Sequence, residues 1–125
     1  MFAEEIPDRV RRLIVDRIDS VPELEALLLF REQRARTLTA AQAGPRLYVS
    51  KTVAAQILGA LAQRGLLAID GESFRYAPAS PELEASVDAL AVAYSHHLVA
   101  VTELVHAKPG ASARRTSRRR GSSRT

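Results

Sequence analysis

The chain has 125 residues, 46% of them hydrophobic but only 5% aromatic, which indicates a single domain with a core of Leu, Val, Ile and Ala. It contains no cysteine, which excludes disulfides, thiolate metal sites and cysteine nucleophiles. Since no run of about 18 uncharged apolar residues occurs, we expect neither a membrane-spanning helix nor a membrane partner. Residues 1–5 are acidic, unlike the basic start of a signal peptide, so a cytoplasmic location is expected.

Charge is divided between two parts of the chain. The formal net charge is +4, from 18 Lys and Arg and 14 Asp and Glu. Residues 108–125 hold seven of those bases and none of the acids, so residues 1–107 hold the other 11 bases and all 14 acids, a net charge of −3. The sequence predicts a folded domain at residues 1–107 and a disordered Arg/Ser-rich tail at residues 108–125, because the tail lacks large apolar residues.

Two helices are predicted at the start of the domain. Residues 7–19 place four aliphatic residues on one face with a period of 3.6, namely Val10, Leu13, Ile14 and Ile18. Ser20 and Glu23 then have the spacing of a helix N-cap and its partner, with Pro22 in the first turn, where proline is tolerated. The leucine-rich helix that they start is expected to end near Ala35.

The next segment begins with a short strand at residues 36–38 and a helix. Thr39 and Gln42 form a predicted capping box for this helix. Gly44 and Pro45 fall in its second turn, where proline removes a backbone donor and clashes with the preceding turn. We therefore expect the helix to be short, or to restart near Pro45 as a separate turn.

A second helix is predicted from Ser50 to about Arg64. Its apolar residues recur at helical spacing and are expected on the buried face, at Val53, Ile57 and Leu61. The opposite face carries small residues and side chains that can bond a base edge or a phosphate. These residues are Lys51, Thr52, Ala55, Gln56, Gly59 and Gln63.

A hairpin at residues 66–76 follows the second helix. Asp70 and Gly71 are expected to form its two-residue turn, so that Ile69 pairs with Glu72. The acidic tip of this hairpin would repel a phosphate backbone. The order strand, helix, turn, helix and hairpin is typical of a winged helix-turn-helix, a fold that most often places its second helix in the major groove of DNA.

One long helix is predicted from Pro81 to His106, with Ser80 as its N-cap. Its apolar residues recur in steps of four and three over three heptads, which is the pattern of a coiled-coil seam. The residues of this expected dimer seam are Leu83, Val87, Leu90, Tyr94, His97, Val101 and Leu104. We expect a homodimer through this seam. The alternative is that the helix folds back on residues 7–19 of the same chain.

Basic residues near the helix pair and in the tail are candidates for phosphate contacts, because each neutralised phosphate releases counterions. The candidates are Arg36, Arg46, Arg64, Arg75, Arg114, Arg115, Arg118, Arg119 and Arg120. Each candidate in the domain could instead be an ordinary surface charge. The tail could equally be a solubilising segment, or one that docks on any acidic surface.

No catalytic or metal site is expected. Glu103 and His106 have the spacing of a carboxylate–histidine metal motif, but that motif needs several further carboxylates. The sequence contains no Gly-x-Ser-x-Gly, P-loop, Gly-x-Gly-x-x-Gly or His-Glu-x-x-His pattern. We therefore expect neither an enzyme nor a cofactor.

Residues 20–107 resemble small winged helix-turn-helix regulators of bacteria. The likeness rests on the Ser20-x-x-Glu23 start, Thr39-Ala40-Ala41-Gln42, residues 50–67 and Phe74-Arg75-Tyr76. The chain is similar to multiple-antibiotic-resistance-regulator and phenolic-acid-regulator proteins, which add a C-terminal dimerisation helix. Residues 76–81 also resemble uncharacterised proteobacterial winged-helix proteins. The resemblance implies that the groove-facing, DNA-binding residues are Ser50, Lys51, Thr52, Ala55 and Gln56.

Together these patterns predict a mainly α fold with a small β-hairpin wing, that is, a winged helix-turn-helix plus a long C-terminal helix. The expected function is a DNA-binding transcription regulator that acts as a dimer. The alternative is a winged-helix module for protein–protein interaction, whose basic tail docks on an acidic partner. The negative charge of residues 1–107 favours the alternative, whereas the fold and the basic tail favour DNA.

Overall fold

Six helices and a small three-stranded antiparallel sheet make up residues 6–107, the part of the chain that the computed structural model describes. The helices are α1 (Asp8–Arg17), α2 (Val21–Glu32), α3 (Ala40–Leu47), α4 (Lys51–Gln63), α5 (Pro81–His96) and α6 (Leu98–His106). The strands are β1 (Thr37–Thr39), β2 (Leu67–Asp70) and β3 (Ser73–Tyr76). The predicted mainly α fold with a β-hairpin is confirmed.

Local capping signals decide where four of the helices begin. The hydroxyls of Ser20, Thr39, Ser50 and Ser80 each accept a hydrogen bond from the backbone N–H three residues later. This bond satisfies one of the donors that helix geometry leaves unpaired. Thr39 forms the complete predicted capping box, since its own N–H donates to the Gln42 side chain at 2.9 Å. The predicted starts of α2, α3, α4 and α5 are therefore confirmed, although α2 ends earlier than expected, at Glu32.

The core lies where the helices meet. α1 packs against α5 and α6, and α2 packs against α4 and α6. The fully buried side chains of these helices include Val10, Ile14, Leu27, Phe30, Leu58, Leu61, Leu90 and Val101. Burial of one such side chain is worth about 1.5–3 kcal/mol, so the predicted apolar face of α1 is a stabilising core face.

α3 is short, as expected, with eight residues, but it does not restart at its proline. The helix runs through Pro45 to Leu47, although proline cannot donate to the carbonyl of Ala41. The lost bond is offset at the end of the helix, where the Val49 N–H donates to the Gly44 carbonyl at 3.0 Å. A Cβ on Gly44 would lie 2.9 Å from the Val49 carbonyl oxygen, so glycine is needed for this close turn between α3 and α4.

The hairpin has a different register from the predicted one. Asp70 pairs with Ser73 and Ile69 with Phe74, so the two turn residues are Gly71 and Glu72. Gly71 has a φ of +63°, which glycine adopts without strain, and glycine at the first central position is typical of a type II′ turn. β1 pairs with β3 on its other side, which gives the strand order β1-β3-β2.

The long C-terminal helix is also a wrong prediction. The chain leaves the helical conformation at His97, with φ −137° and ψ 54°, and continues as the separate helix α6. Val87, Leu90 and Val101 are fully buried within the single chain. The alternative, in which this segment folds back on the N-terminal helix, is the arrangement found, because both α5 and α6 pack against α1.

Candidate nucleic-acid interface

The exposed face of α4 contains four of the five residues expected to face a groove. Lys51 and Thr52 lie at its start, and Ala55 and Gln56 lie one turn further on, all exposed to solvent. The fifth residue, Ser50, caps the helix, and its hydroxyl oxygen accepts a hydrogen bond from the backbone of Val53 at 3.1 Å. A serine hydroxyl that accepts this bond still has its own hydrogen to donate to a ligand.

The buried face of α4 is rotated slightly from the predicted one. Ile57 and Leu61 are buried as expected, whereas Val53 is 40% exposed and Ala54 is buried in its place. Hydrophobic spacing alone could not separate the two positions, because neighbouring residues on a helix are only about 100° apart. Val53 therefore adds an apolar side chain to the surface at the start of α4.

Small residues leave room along the exposed face of α4. A Cβ placed on Gly59 would meet no atom within 4 Å, so no other described part of the chain covers this position. Ala55 is exposed on the preceding turn, and Gln63 is exposed on the following one. A ligand could therefore approach the backbone of α4 closely between two glutamine side chains, Gln56 and Gln63.

The charge of the helix pair differs from the average charge of the chain. Neither α3 nor α4 contains an acidic residue, and each contains one base, Arg46 in α3 and Lys51 in α4. Both bases are exposed. The described residues as a whole hold 11 bases and 12 acids. The sequence itself shows that both segments lack acids, but the net charge of residues 1–107 does not reveal this.

Acidic side chains of other helices are paired with arginines inside the chain. Asp88 of α5 accepts a hydrogen bond from the Arg31 side chain of α2 at 2.9 Å, and Glu84 lies 3.6 Å from Arg34. These pairs link the end of α2 and the residues that follow it to α5, and they neutralise part of the negative charge. The hairpin tip is different, because Asp70 and Glu72 are exposed.

Three of the phosphate-contact candidates lie on the surface. Arg36 precedes β1, Arg46 lies in the last turn of α3, and Arg75 lies in β3, and all three are exposed. Arg75 pairs across the sheet with Thr37, the residue that follows Arg36. The backbones at Arg36 and Arg75 therefore lie near each other at one end of the sheet.

Arg64 is the exception among these candidates, and its prediction as a phosphate contact is corrected. Its guanidinium donates to Glu23 at 2.6 Å and to Asp19 at 2.9 Å, and only 25% of the side chain is exposed. It also donates to the Arg17 carbonyl at 3.0 Å, while the Arg17 side chain donates to the Arg64 carbonyl. Arg64 therefore ties the end of α4 to the corner between α1 and α2. Sequence spacing carries no signal of this pairing.

Tyr48 is a surface residue that the sequence reasoning missed. It ends α3 in a left-handed conformation, with φ 59° and ψ 39°, and its side chain is 93% exposed. A left-handed conformation costs a residue with a Cβ about 1–2 kcal/mol. The aromatic ring stands at the turn between Arg46 and Lys51, so it is part of the same exposed surface as the helix pair.

The residues of the expected dimer seam are dispersed. Leu83, Tyr94 and Leu104 are half-buried, and His97 lies at the break between α5 and α6. The Tyr94 hydroxyl donates to Glu25 of α2 at 3.1 Å, and burial together with this bond raises the pKa of Tyr94. With Val87, Leu90 and Val101 in the core, these side chains do not form one continuous exposed stripe.

The remaining candidates can be placed briefly. Glu103 and His106 are both exposed, and the described residues contain no group of three potential metal ligands. The five candidate arginines of the tail lie outside the described residues, as does the predicted disorder of residues 108–125. Within residues 6–107, no helix combines the length and the apolar character that crossing a membrane requires.

Comparisons with known proteins give no relative. No family model matches the sequence, and searches of curated proteins and of solved structures find no match.

Proposed function

We propose that this chain is a winged-helix DNA-binding protein that acts as a transcription regulator. The single observation that carries the proposal is the exposed face of α4, which is acid-free and presents Lys51, Thr52 and Gln56 beside the small residues Ala55 and Gly59. Lysine and threonine can bond phosphates or base edges, and glutamine can bond the edge of adenine.

The order of the elements supports the proposal. β1, α3, α4 and the β2–β3 hairpin follow one another as in a winged helix-turn-helix, and β3 lies between β1 and β2. In that fold the second helix of the pair enters the major groove. The exposed bases Arg36, Arg46 and Arg75 are proposed to contact phosphates on either side of α4.

The test is binding to a DNA site selected from a random library with the full chain. Changing Lys51 and Gln56 to alanine should weaken binding to that site by about 1–3 kcal/mol for each lost contact, without changing the unfolding midpoint. The matched control is Arg12→Ala, which removes an exposed base of α1 outside the proposed interface. If the double variant binds the site as the unmodified protein does, α4 does not read DNA.

The second candidate function is a module for protein–protein interaction. It is favoured by the hairpin tip, where Asp70 and Glu72 would repel phosphates beside an Ile69 side chain that is largely exposed. This second function would be favoured if no DNA site is enriched from the library and if binding of the chain to unselected DNA does not depend on salt concentration.

A further inference from the structure

A cleft between α2 and the end of α3, called the α2–α3 cleft below, combines apolar, aromatic and acidic side chains. Its volume is about 300 Å³, and its apolar wall consists of Leu28, Leu29 and Leu47. Two of the chain's three tyrosines, Tyr48 and Tyr94, also line it. Apolar and aromatic walls with a few polar groups are typical of ligand sites, and this volume is at the lower end of their range. The cleft can therefore hold a small group or the side chains of a peptide that crosses it.

The charged groups of the α2–α3 cleft favour a cation. Glu25 and Glu32 line it, and Arg46 is the one base among its lining residues, so their net charge is −1. Within residues 6–107, neither glutamate has a base within 4 Å, although the Tyr94 hydroxyl donates to Glu25 at 3.1 Å. The cleft therefore presents two carboxylates that no described base neutralises.

Another part of the chain shows how such groups hold an arginine. The guanidinium carbon of Arg34 lies 5.4 Å from the centre of the Tyr76 ring. The nitrogens of the same guanidinium lie 3.6 Å from Glu84 and 3.9 Å from Asp88. A guanidinium is attracted to the face of an aromatic ring and forms directed hydrogen bonds with carboxylates. The α2–α3 cleft offers tyrosine rings and carboxylates of the same kind.

The conformation of Tyr48 also points to a ligand. This residue has a φ of 59°, a left-handed conformation that helix ends most often give to glycine. Its side chain is 93% exposed, so its ring lies at the rim of the cleft and gains little from burial. Strained residues of this kind occur most often where a side chain contacts a ligand. The ring of Tyr48 is therefore available to a cation that enters the cleft.

The sequence contains a segment whose charge matches the α2–α3 cleft. Residues 108–125 hold seven bases and no acid, and five of the bases are arginines within residues 114–120. A second cleft, between α1 and the start of α5, is lined by Arg9, Arg12 and Arg17 and by only two acids. The second cleft, called the α1–α5 cleft below, would repel these arginines, whereas the α2–α3 cleft would attract them.

The arginines are also close enough along the chain to reach the α2–α3 cleft. α6 has nine residues and packs against α2, the helix that carries both glutamates of the cleft. The path from Tyr94 to Ala107 covers at most about 28 Å, because α6 adds about 14 Å and residues 94–98 add at most about 14 Å. The 11 residues from Ala107 to Arg118 can span about 36 Å. Arg118 and the two arginines after it can therefore reach the cleft.

We propose that the α2–α3 cleft binds arginine side chains, and that its occupant is residues 114–120 of the same chain. A guanidinium lies against a tyrosine ring of the cleft and pairs with Glu25 or Glu32. Each such contact is weak, but a segment tethered by a short linker has an effective concentration in the millimolar range, which a separate partner rarely reaches. This inference goes beyond the proposed function, and its test contains no DNA, so it can fail while DNA binding holds.

The first test locates the arginine segment on the surface of the full chain. Because the chain has no cysteine, Ser117→Cys provides a single attachment site for a nitroxide, which broadens the NMR signals of nearby nuclei. We expect the strongest broadening in the α2–α3 cleft, at Leu28 and Tyr94, and much weaker broadening in the α1–α5 cleft, at Leu13 and Ser86. The broadening should decrease as sodium chloride is raised from about 0.05 M to about 0.5 M, because salt screens charges on the surface.

The second test changes the charge of each cleft by the same amount. Glu25→Gln with Glu32→Gln should lower the ratio of docked to free segment about three- to tenfold, as the broadening reports, because two exposed ion pairs are lost. Asp16→Asn with Glu82→Gln is the matched control, since it removes two exposed acids that line the α1–α5 cleft. The control should change the ratio by less than about twofold.

A third test separates arginine recognition from charge alone. Replacing Arg118, Arg119 and Arg120 by lysine keeps every positive charge but removes the planar guanidinium that stacks on tyrosine and pairs with a carboxylate through two bonds. This replacement should lower the ratio of docked to free segment about two- to fivefold.

Four results would overturn the proposal. These are broadening spread evenly over the surface, an equal loss of broadening in the two double variants, a lysine variant that docks as well as the arginine chain, and broadening that arises between different molecules. The last result is measured by mixing isotope-labelled chains with nitroxide-labelled ones, and it would assign the cleft to the arginines of another copy. If a double variant fails to fold, the position of the broadening in the chain that keeps all four acids still decides.

Discussion

Removal of the Arg64 charge should destabilise the protein more than removal of any exposed arginine. The proposed change is Arg64→Met, which keeps a long apolar side chain and removes the guanidinium. Asp19 and Glu23 would then remain, only 17% and 12% exposed, without the guanidinium that lies 2.9 Å and 2.6 Å from them.

The size of the effect follows from this burial. Removing one partner of a fully buried ion pair costs about 3–5 kcal/mol, and exposed pairs contribute about 0–1 kcal/mol. Because the three side chains keep some exposure, we expect a loss of about 2–3 kcal/mol in the free energy of unfolding. For a domain of this size that loss lowers the melting temperature by about 8–24 °C.

Urea and thermal unfolding followed by circular dichroism would measure the change. Arg75→Met is the matched control, because Arg75 is exposed, and its effect on stability should stay within about 0.5 kcal/mol. Adding Glu23→Gln to Arg64→Met should recover about 1 kcal/mol, since a neutral amide replaces a carboxylate that has lost its arginine, and the amide oxygen can still accept from the Asp19 N–H. An Arg64→Met variant as stable as Arg75→Met would refute the reasoning, because the three groups would then be solvated surface charges.

Three further predictions concern other parts of the chain. Tyr48→Gly should raise the free energy of unfolding, measured by urea denaturation, by about 0.5–1 kcal/mol, since glycine accepts the left-handed conformation. Tyr48→Phe should not change it. Burial, with the Asp88 carboxylate nearby, raises the pKa of Tyr76 to about 12, so unfolding releases its proton above pH 10 and stability should fall as the pH rises from 10 to 12. Tyr76→Phe should reduce that fall and be nearly neutral at pH 7, because the buried hydroxyl has no hydrogen-bond partner among the described residues. Deleting residues 111–125 should flatten the salt dependence of nonspecific DNA binding if the tail contacts phosphates, as a titration with sodium chloride would show.

The parts of the fold that could be predicted are those decided by neighbouring residues. Ser20, Thr39, Ser50 and Ser80 mark helix starts because the group that each one caps lies three residues away. The hairpin was also predicted, because its turn residues and the strands that they join are neighbours in the sequence. Its turn was misplaced by one residue, and its pairing register therefore by two, because Gly71 can occupy either central position of a two-residue turn. The choice of Gly71 and Glu72 over Asp70 and Gly71 depends on pairing with β3.

The parts that could not be predicted depend on distant residues. Neither glycine nor proline lies within residues 82–108 to stop a helix, whereas beyond the break Val101 and Val105 are buried and α6 packs against α1 and α2. Arg64 could not be told from the exposed arginines by its sequence neighbours. Its partners Asp19 and Glu23 are 45 and 41 residues away in the sequence, although their carboxylates lie within 3 Å of its guanidinium. Tertiary packing, rather than local sequence, decides both features.

The charge argument against DNA binding weakens once the charges are placed. The excess of acids within residues 1–107 suggested a surface unsuited to phosphate, yet Asp19 and Glu23 neutralise Arg64 inside the chain, and Glu84 and Asp88 lie beside Arg31 and Arg34. α3 and α4 carry only positive charge. A phosphate near α4 responds mainly to charges within about 10 Å at 0.1 M salt, so the local balance matters more than the total. Some exposed acids still oppose DNA binding, namely those of the hairpin tip and also Glu25 and Glu32, which line a cleft with Arg46 and Tyr48. Asp70→Asn with Glu72→Gln should therefore strengthen DNA binding if the proposal holds.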